Sequence, residues 1–340
     1  MTNAVSDGRA TVIPMVDPEY RDLIDVLPKF DFTSRPIDEI RAELAAAMPP
    51  GDPDPEVDET EVYIPHPGTG GRIKLLVYKP LGKAGVPVLI HFHPGGHVLG
   101  SAAMSAQSNR ERARKLGCAV VSVDYSLAPE APFPTALEQA YAALEWLHRD
   151  GLGGVIDRSR IVLVGESAGA GLAASLALLA RDRGGPAVLF QLLIYPMLDD
   201  RTVAREDAEP TPHVGEFIWT RANNQYAWAS FLGGDAASEL KDYAVPARAA
   251  TLKDLPPAFI AVGSLDLFVQ EDLEYASRLI RAGVSTEMHV YPGAFHGFDL
   301  VPGTRLTKLL QDDCEAALRR AFEVRSGRIT ATDMSTGEQQ

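Results

Sequence analysis

The 340-residue chain is long enough for one large α/β domain with additional elements. Hydrophobic residues make up 46% and charged residues 23%, an ordinary globular balance. The formal net charge is −14 and the 32 basic residues are not gathered into blocks, which argues against nucleic acid or an anionic membrane as a main partner.

Cys118 and Cys314 lie far apart without metal spacing, so free thiols in a reducing compartment are expected. The N-terminus lacks a basic start and a long apolar core, and no apolar run is long enough to span a bilayer. A cytoplasmic location is the simplest expectation.

Residues 1–16 read as loosely ordered. Asp17-Pro18 then gives an N-cap followed by proline at the first helical position. Tyr20, Leu23, Ile24 and Leu27 form an amphipathic stripe, and a second helix begins near Pro36 with Ile37, Ile40, Leu44 and Met48 on one face. It stops at the proline-rich run 48–55. These helices precede any strand and must bury their stripes, either as a lid or on the flank of the main domain. Strands are predicted over 61–65, 71–78, 86–93, 119–124, 160–164, 188–195, 258–262 and 286–291. The first two are joined by a hairpin turn at Pro67-Gly68-Thr69-Gly70-Gly71. From the third onward strands alternate with helical sequence, which predicts βαβ units and a mainly parallel sheet flanked by helices. One helix starts at Pro134, with Thr135 and Glu138 at capping-box spacing. Residues 199–240 interrupt the alternation with an aromatic-rich insertion, Phe217-Ile218-Trp219 to Tyr226-Ala227-Trp228-Ala229-Ser230-Phe231. The polar tail 326–340 reads as disordered.

The chemistry centres on Gly165-Glu166-Ser167-Ala168-Gly169. A branched-apolar strand precedes it and a run of strong helix formers follows. A serine on a sharp strand-to-helix turn is a nucleophile elbow, and small neighbours let the backbone pass close. A serine needs a base and an orienting carboxylate. Of eight histidines, His296 follows the last strand in Ala294-Phe295-His296-Gly297, at the functional edge of a parallel sheet. His289 lies inside that strand, and His66, His148 and His213 have no supporting constellation. Asp266 ends another strand, with Asp124 as its rival. Glu271 and Asp272 read as helix-start acids that favour the dipole. For an oxyanion hole, Ala168 supplies one N–H. Gly95 and Gly96 in His91-Phe92-His93-Pro94-Gly95-Gly96-His97 supply others, whereas Pro94 has none. The competing reading of that loop is a metal site at His91, His93 and His97, though no cysteine or carboxylate nearby completes a familiar set. No metal is expected from these residues.

With these motifs in order, joined by Asp124-Tyr125-Ser126-Leu127-Ala128-Pro129-Glu130 and Phe295-His296-Gly297-Phe298, the chain resembles the bacterial hormone-sensitive-lipase-like carboxylesterases over most of 60–320. Pro94 departs from the family's usual H-G-G-G. His97 stands where an aromatic residue is frequent. The resemblance implies an α/β-hydrolase with a mostly parallel eight-stranded sheet and a helical cap. Residues 1–55 would be cap helices and linker, 56–198 and 241–325 the catalytic domain, and 199–240 a cap insertion. It implies hydrolysis of short- to medium-chain carboxylic esters by Ser167, His296 and Asp266, without a cofactor. The oxyanion would sit on Gly95, Gly96 and Ala168, with His97, Phe217, Trp219, Phe268 and Phe298 as candidate substrate contacts. A homodimer through the last strand is a further family expectation. Two alternatives share the fold: another acyl substrate (amide, lactone or drug-like ester), or a non-catalytic small-molecule receptor.

Overall fold

The computed structural model describes residues 11–68, 70–202, 211–233 and 243–323. The predicted tail 326–340 and parts of the 199–240 insertion lie outside the described residues. Eight strands form one sheet in the order β1-β2-β4-β3-β5-β6-β7-β8. They are β1 Val57–Pro65, β2 Arg72–Pro80, β3 Val86–Phe92, β4 Ala119–Asp124, β5 Ile156–Glu166, β6 Phe190–Ile194, β7 Ala258–Gly263 and β8 Thr286–Tyr291. β1 pairs antiparallel with β2, and β2 antiparallel with β4. All pairings from β4 to β8 are parallel. The sequence explains this division. β3 is buried along its whole length, as an unbroken apolar strand covered on both faces must be. β1 buries only Val57 and Ile64 and forms the outer arm of a hairpin.

The helices are α1 Ile37–Ala47, α2 Ala106–Leu116, α3 Thr135–Gly154, α4 Ala168–Asp182, α5 Arg221–Leu232, α6 Val269–Arg281 and α7 Arg305–Glu323. α3 loses helical geometry at Gly151, Leu152 and Gly153, which all turn left-handed. α2 packs against α7 and α3 against α4, flanking the sheet.

Three expectations are corrected. Residues 11–16 are ordered: a 3-10 turn at Ile13–Met15 is framed by Val12 and Val16, both buried. The Tyr20 to Leu27 stripe is not one helix but a short helix, Pro18–Arg21, and a 3-10 turn, Ile24–Val26. Pro28 forces Leu27 into extended backbone and ends the turn. The Asp17 cap does form, accepting from Glu19 N–H at 3.1 Å. The capping box at α3 does not form. No side chain caps that end, and Glu138 instead pairs with Arg183 at 3.0 Å.

Candidate active site

The strand order places β3 between β4 and β5, so the connection from β3 to β4 runs one way across the sheet and the connection from β4 to β5 runs the other. Loops that leave the carboxyl ends of strands at such a switch point converge. The loop after β3 carries Gly95 and Gly96, the turn after β5 carries Ser167, and the turns after β7 and β8 carry Asp266 and His296.

Ser167 sits at φ 55°, ψ −122°, a region that L-residues rarely occupy. Its surroundings fix it there. Ser167 N–H donates to Ile194 O at 2.9 Å, and Ser167 O accepts from Gly171 N–H and Met197 N–H, each at 3.0 Å. The neighbouring glycines leave no room for a Cβ. At Gly165 it would overlap the backbone of Gly169, at Gly169 the carbonyl of Phe92, and at Gly171 the carbonyl of Met197. Close backbone approach on three sides is therefore what the glycine spacing supplies.

His296 Nε2 accepts from Ser167 Oγ at 3.0 Å, and its Nδ1–H donates to Asp266 Oδ2 at 2.9 Å. Asp266 Oδ1 accepts from Phe268 N–H at 2.9 Å, which fixes the carboxylate plane. The acid and base turns are joined to each other. Leu265 N–H donates to Ala294 O, and Gly293 N–H to Ser264 Oγ, both at 2.9 Å. The imidazole is framed edge-on by Tyr195 at 4.7 Å and by Phe268 at 5.1 Å. Tyr195 O–H donates to Asp299 at 2.8 Å. Asp124, the rival acid, lies elsewhere and accepts from Ala102 N–H at 2.8 Å, shaping the loop after β3.

In that loop Gly95 (φ 129°), Gly96 (φ 62°) and His97 (φ 62°) all have positive φ. Val98 and Leu99 N–H groups fold back onto Gly95 O, while the N–H groups of Gly95 and Gly96 have no hydrogen-bond partner among the described residues. Ala168 heads α4, where the first N–H groups have no intrahelical acceptor. Arg41 of α1 anchors the loop by donating to Val98 O and Ala128 O at 2.9 Å each, and it pairs with Glu130 at 2.8 Å.

The three clustered histidines have separate partners. His91 bonds to Glu166 and Ser122, each at 2.8 Å. His93 stacks on Tyr125 at 4.1 Å, and His97 stacks on Phe231 at 3.9 Å. Burial lowers the pKa of both His93 and His97, the latter to about 3. Among the described residues no group of three or more His, Cys, Asp or Glu side chains is gathered as a metal ion requires. Beneath the serine, Glu166 bonds His91 and, at 2.6 Å, Arg112 of α2. Burial works to raise the Glu166 carboxyl, but attraction to His91 and Arg112 prevails and holds it at about 2.

The expected substrate contacts fall in different places. Phe268 faces the imidazole. Phe217 packs on Phe295 at 5.4 Å, and Trp219 lies 6.3 Å from the His296 ring. His97 lies in the loop after β3, directly after Gly96. The Phe298 ring is buried against Tyr20 and Tyr291, and Gly297 at φ 68° turns the chain between it and His296. Sequence reasoning missed Arg112, Arg41 and Tyr195, whose partners are distant in the chain and leave no local pattern.

A model of the alpha/beta hydrolase fold matches residues 89–300. The chain is 33% identical to Esterase LipI of Mycobacterium tuberculosis over 297 residues, covering 86% of this chain and 90% of that protein. Among solved structures it resembles a bacterial heroin esterase, with TM-score 0.84, 37% identity, and 91% and 99% of the two chains covered. It also resembles esterase LipW from Mycobacterium marinum, with TM-score 0.77, 34% identity, and 92% and 97% covered. Among the described residues no helix is long and apolar enough to cross a membrane. With fold, strand order and sequence in agreement, the chain belongs to the α/β-hydrolase family, in its hormone-sensitive-lipase-like branch.

Proposed function

We propose that this protein is a carboxylesterase acting on short- to medium-chain esters through an acyl-enzyme on Ser167. The carrying observation is the hydrogen-bonded chain Ser167 Oγ, His296 Nε2, His296 Nδ1, Asp266 Oδ2, built on a serine held at positive φ. Ser167 Oγ attacks the ester carbonyl as His296 takes its proton. Asp266 holds the imidazole tautomer and stabilises the imidazolium. The N–H groups of Gly95, Gly96 and Ala168 receive the developing oxyanion. The C–O bond to the alcohol breaks as His296 returns the proton to the leaving oxygen. Water then gives its proton to His296 and attacks the acyl carbon, and Ser167 leaves carrying that proton.

The esterase names of the relatives support this reading, as does the presence of all three reacting groups, which a non-catalytic receptor does not need. A second reading, cleavage of acyl esters of bulky aromatic alcohols, is favoured by the likeness to a protein named for heroin. Residues 1–55 and 199–240 would together form the cap. β8 leaves one edge of the sheet open. Pairing of two copies there belongs to the same proposal, and a monomer in solution would refute it.

Ser167→Ala is expected to lower kcat on p-nitrophenyl butyrate by about a millionfold. Near-normal turnover by that variant would remove Ser167 from the chemistry.

A further inference from the structure

The segment Phe217-Ile218-Trp219 has a backbone that sequence reading did not anticipate. Trp219 N–H donates to Phe217 O at 2.7 Å, two residues back, and Ile218 between them has φ 57°. This is a γ-turn with a left-handed centre, a rare and strained form. It is built on a β-branched residue for which positive φ is an outlier. Such a conformation costs on the order of 1–3 kcal/mol and persists only where surrounding contacts impose it.

Those contacts lie on opposite walls of the site. The Phe217 ring packs on Phe295, and Ile218 lies beside Gly297, so both rest on the wall that carries His296. Trp219 reaches the other wall. Its benzo edge lies against Gly96, where any Cβ would overlap Cζ2 and Cη2 of the indole. The indole N–H donates to Asn224 Oδ1 of α5 at 3.3 Å. Phe30 and Phe32, from the segment before α1, cover Trp219 at 6.5 and 6.2 Å, and Phe32 stacks on Tyr226 at 4.7 Å. Under this cover Ser167 is only 2% exposed and His296 5%.

We propose that Phe217–Trp219 is a strap across the mouth of the site and that Trp219 is the residue that limits acyl length. The inference rests on the ester-hydrolase reading. A tetrahedral centre on Ser167 has its oxyanion towards Gly95, Gly96 and Ala168 and its leaving oxygen within reach of His296 Nε2. The acyl substituent then takes the side towards Gly96 and α5, where the indole sits against Gly96 with its ring 6.3 Å from that of His296. Short acyl groups fit in front of the ring, whereas chains as long as octanoyl meet it. The strained turn keeps the ring from yielding, because moving Trp219 off Gly96 also moves Ile218 off Gly297.

The test compares wild type with Trp219→Leu on p-nitrophenyl acetate and octanoate, and on acetates of small and bulky alcohols. The octanoate-to-acetate ratio of kcat/KM should rise about tenfold or more, mainly through KM, since each methylene a pocket admits or rejects is worth about tenfold or more in discrimination. A uniform fall on all esters would make Trp219 merely structural, and a gain confined to bulky alcohols would place it on the wrong side. Either result overturns the proposal. Octanoate binding by titration calorimetry needs no turnover, and it should tighten about tenfold in the variant. If neither protein hydrolyses any ester, the esterase reading fails, and this binding alone decides for or against the strap. Trp219→Phe, with a smaller expected change in the same direction, serves if the leucine variant does not fold.

Discussion

His97 directly follows Gly95 and Gly96, with its ring stacked on Phe231 and its Nδ1 without a partner among the described residues. Burial pulls its pKa down to about 3. The unfolded chain protonates this histidine at about pH 6.5, while the folded chain does not until the pH approaches 3. The unfolded state therefore holds the extra proton in that window. Stability present above about pH 6.5 is lost as the pH falls, by about 2 kcal/mol at pH 5 for one such group. His93 acts in the same direction. His97→Asn, whose side chain tolerates positive φ, should flatten the urea-denaturation stability profile between pH 7 and 5 by that amount; an unchanged slope would show that His97 is not responsible. At this scale Ser167, Asp266 and His296 were legible in the sequence, since each follows an apolar strand. Glu166 was readable only as part of the elbow. Its bonds to His91 and Arg112 join strand to helix across more than fifty residues, so no local spacing announces them.

The start of α6 does more than its sequence announces. Glu271 and Asp272 read as acids placed for the helix dipole, and both do lie in the first turn, but both are also buried. Glu271 accepts from Leu198 N–H at 2.7 Å, from Asp199 N–H at 3.3 Å and from the Thr202 hydroxyl, so it ties the exit of β6 to α6. Neither oxygen of Asp272 has a partner among the described residues. Burial raises both carboxyls well above the usual range. For Asp272 the folded chain keeps its proton where the unfolded chain ionises, so the group detracts from stability increasingly as the pH rises above about 4. Asp272→Ala should raise stability at pH 7.5 by about 1 kcal/mol or more, because it removes a buried carboxyl that no donor satisfies. A lower melting temperature at that pH would mean that the carboxyl is satisfied after all. Strand identities were legible because apolar runs and turn residues are local signals. The broken first helix was not, since its stripe has helical spacing and only the Leu27-Pro28 junction opposes it.

At the scale of the molecule, one topological fact assembles the site: four loops leave the carboxyl ends of β3, β5, β7 and β8 on one edge of one sheet. That order was readable because alternating strands and helices permit few arrangements. The contacts between the two segments expected to form a cap were not readable in the same way. Phe30 and Phe32 meet Trp219 and Tyr226 across almost two hundred residues, and an aromatic residue in a loop carries no mark of its partner.

The central claim is that the acyl group passes through Ser167. It is tested most directly by quenching the wild-type protein during its first turnover of p-nitrophenyl butyrate, digesting it and locating the butyryl group by mass spectrometry. The account predicts the label on Ser167 and nowhere else. Steady hydrolysis with the label on another residue, or with none trapped at any time, would contradict it.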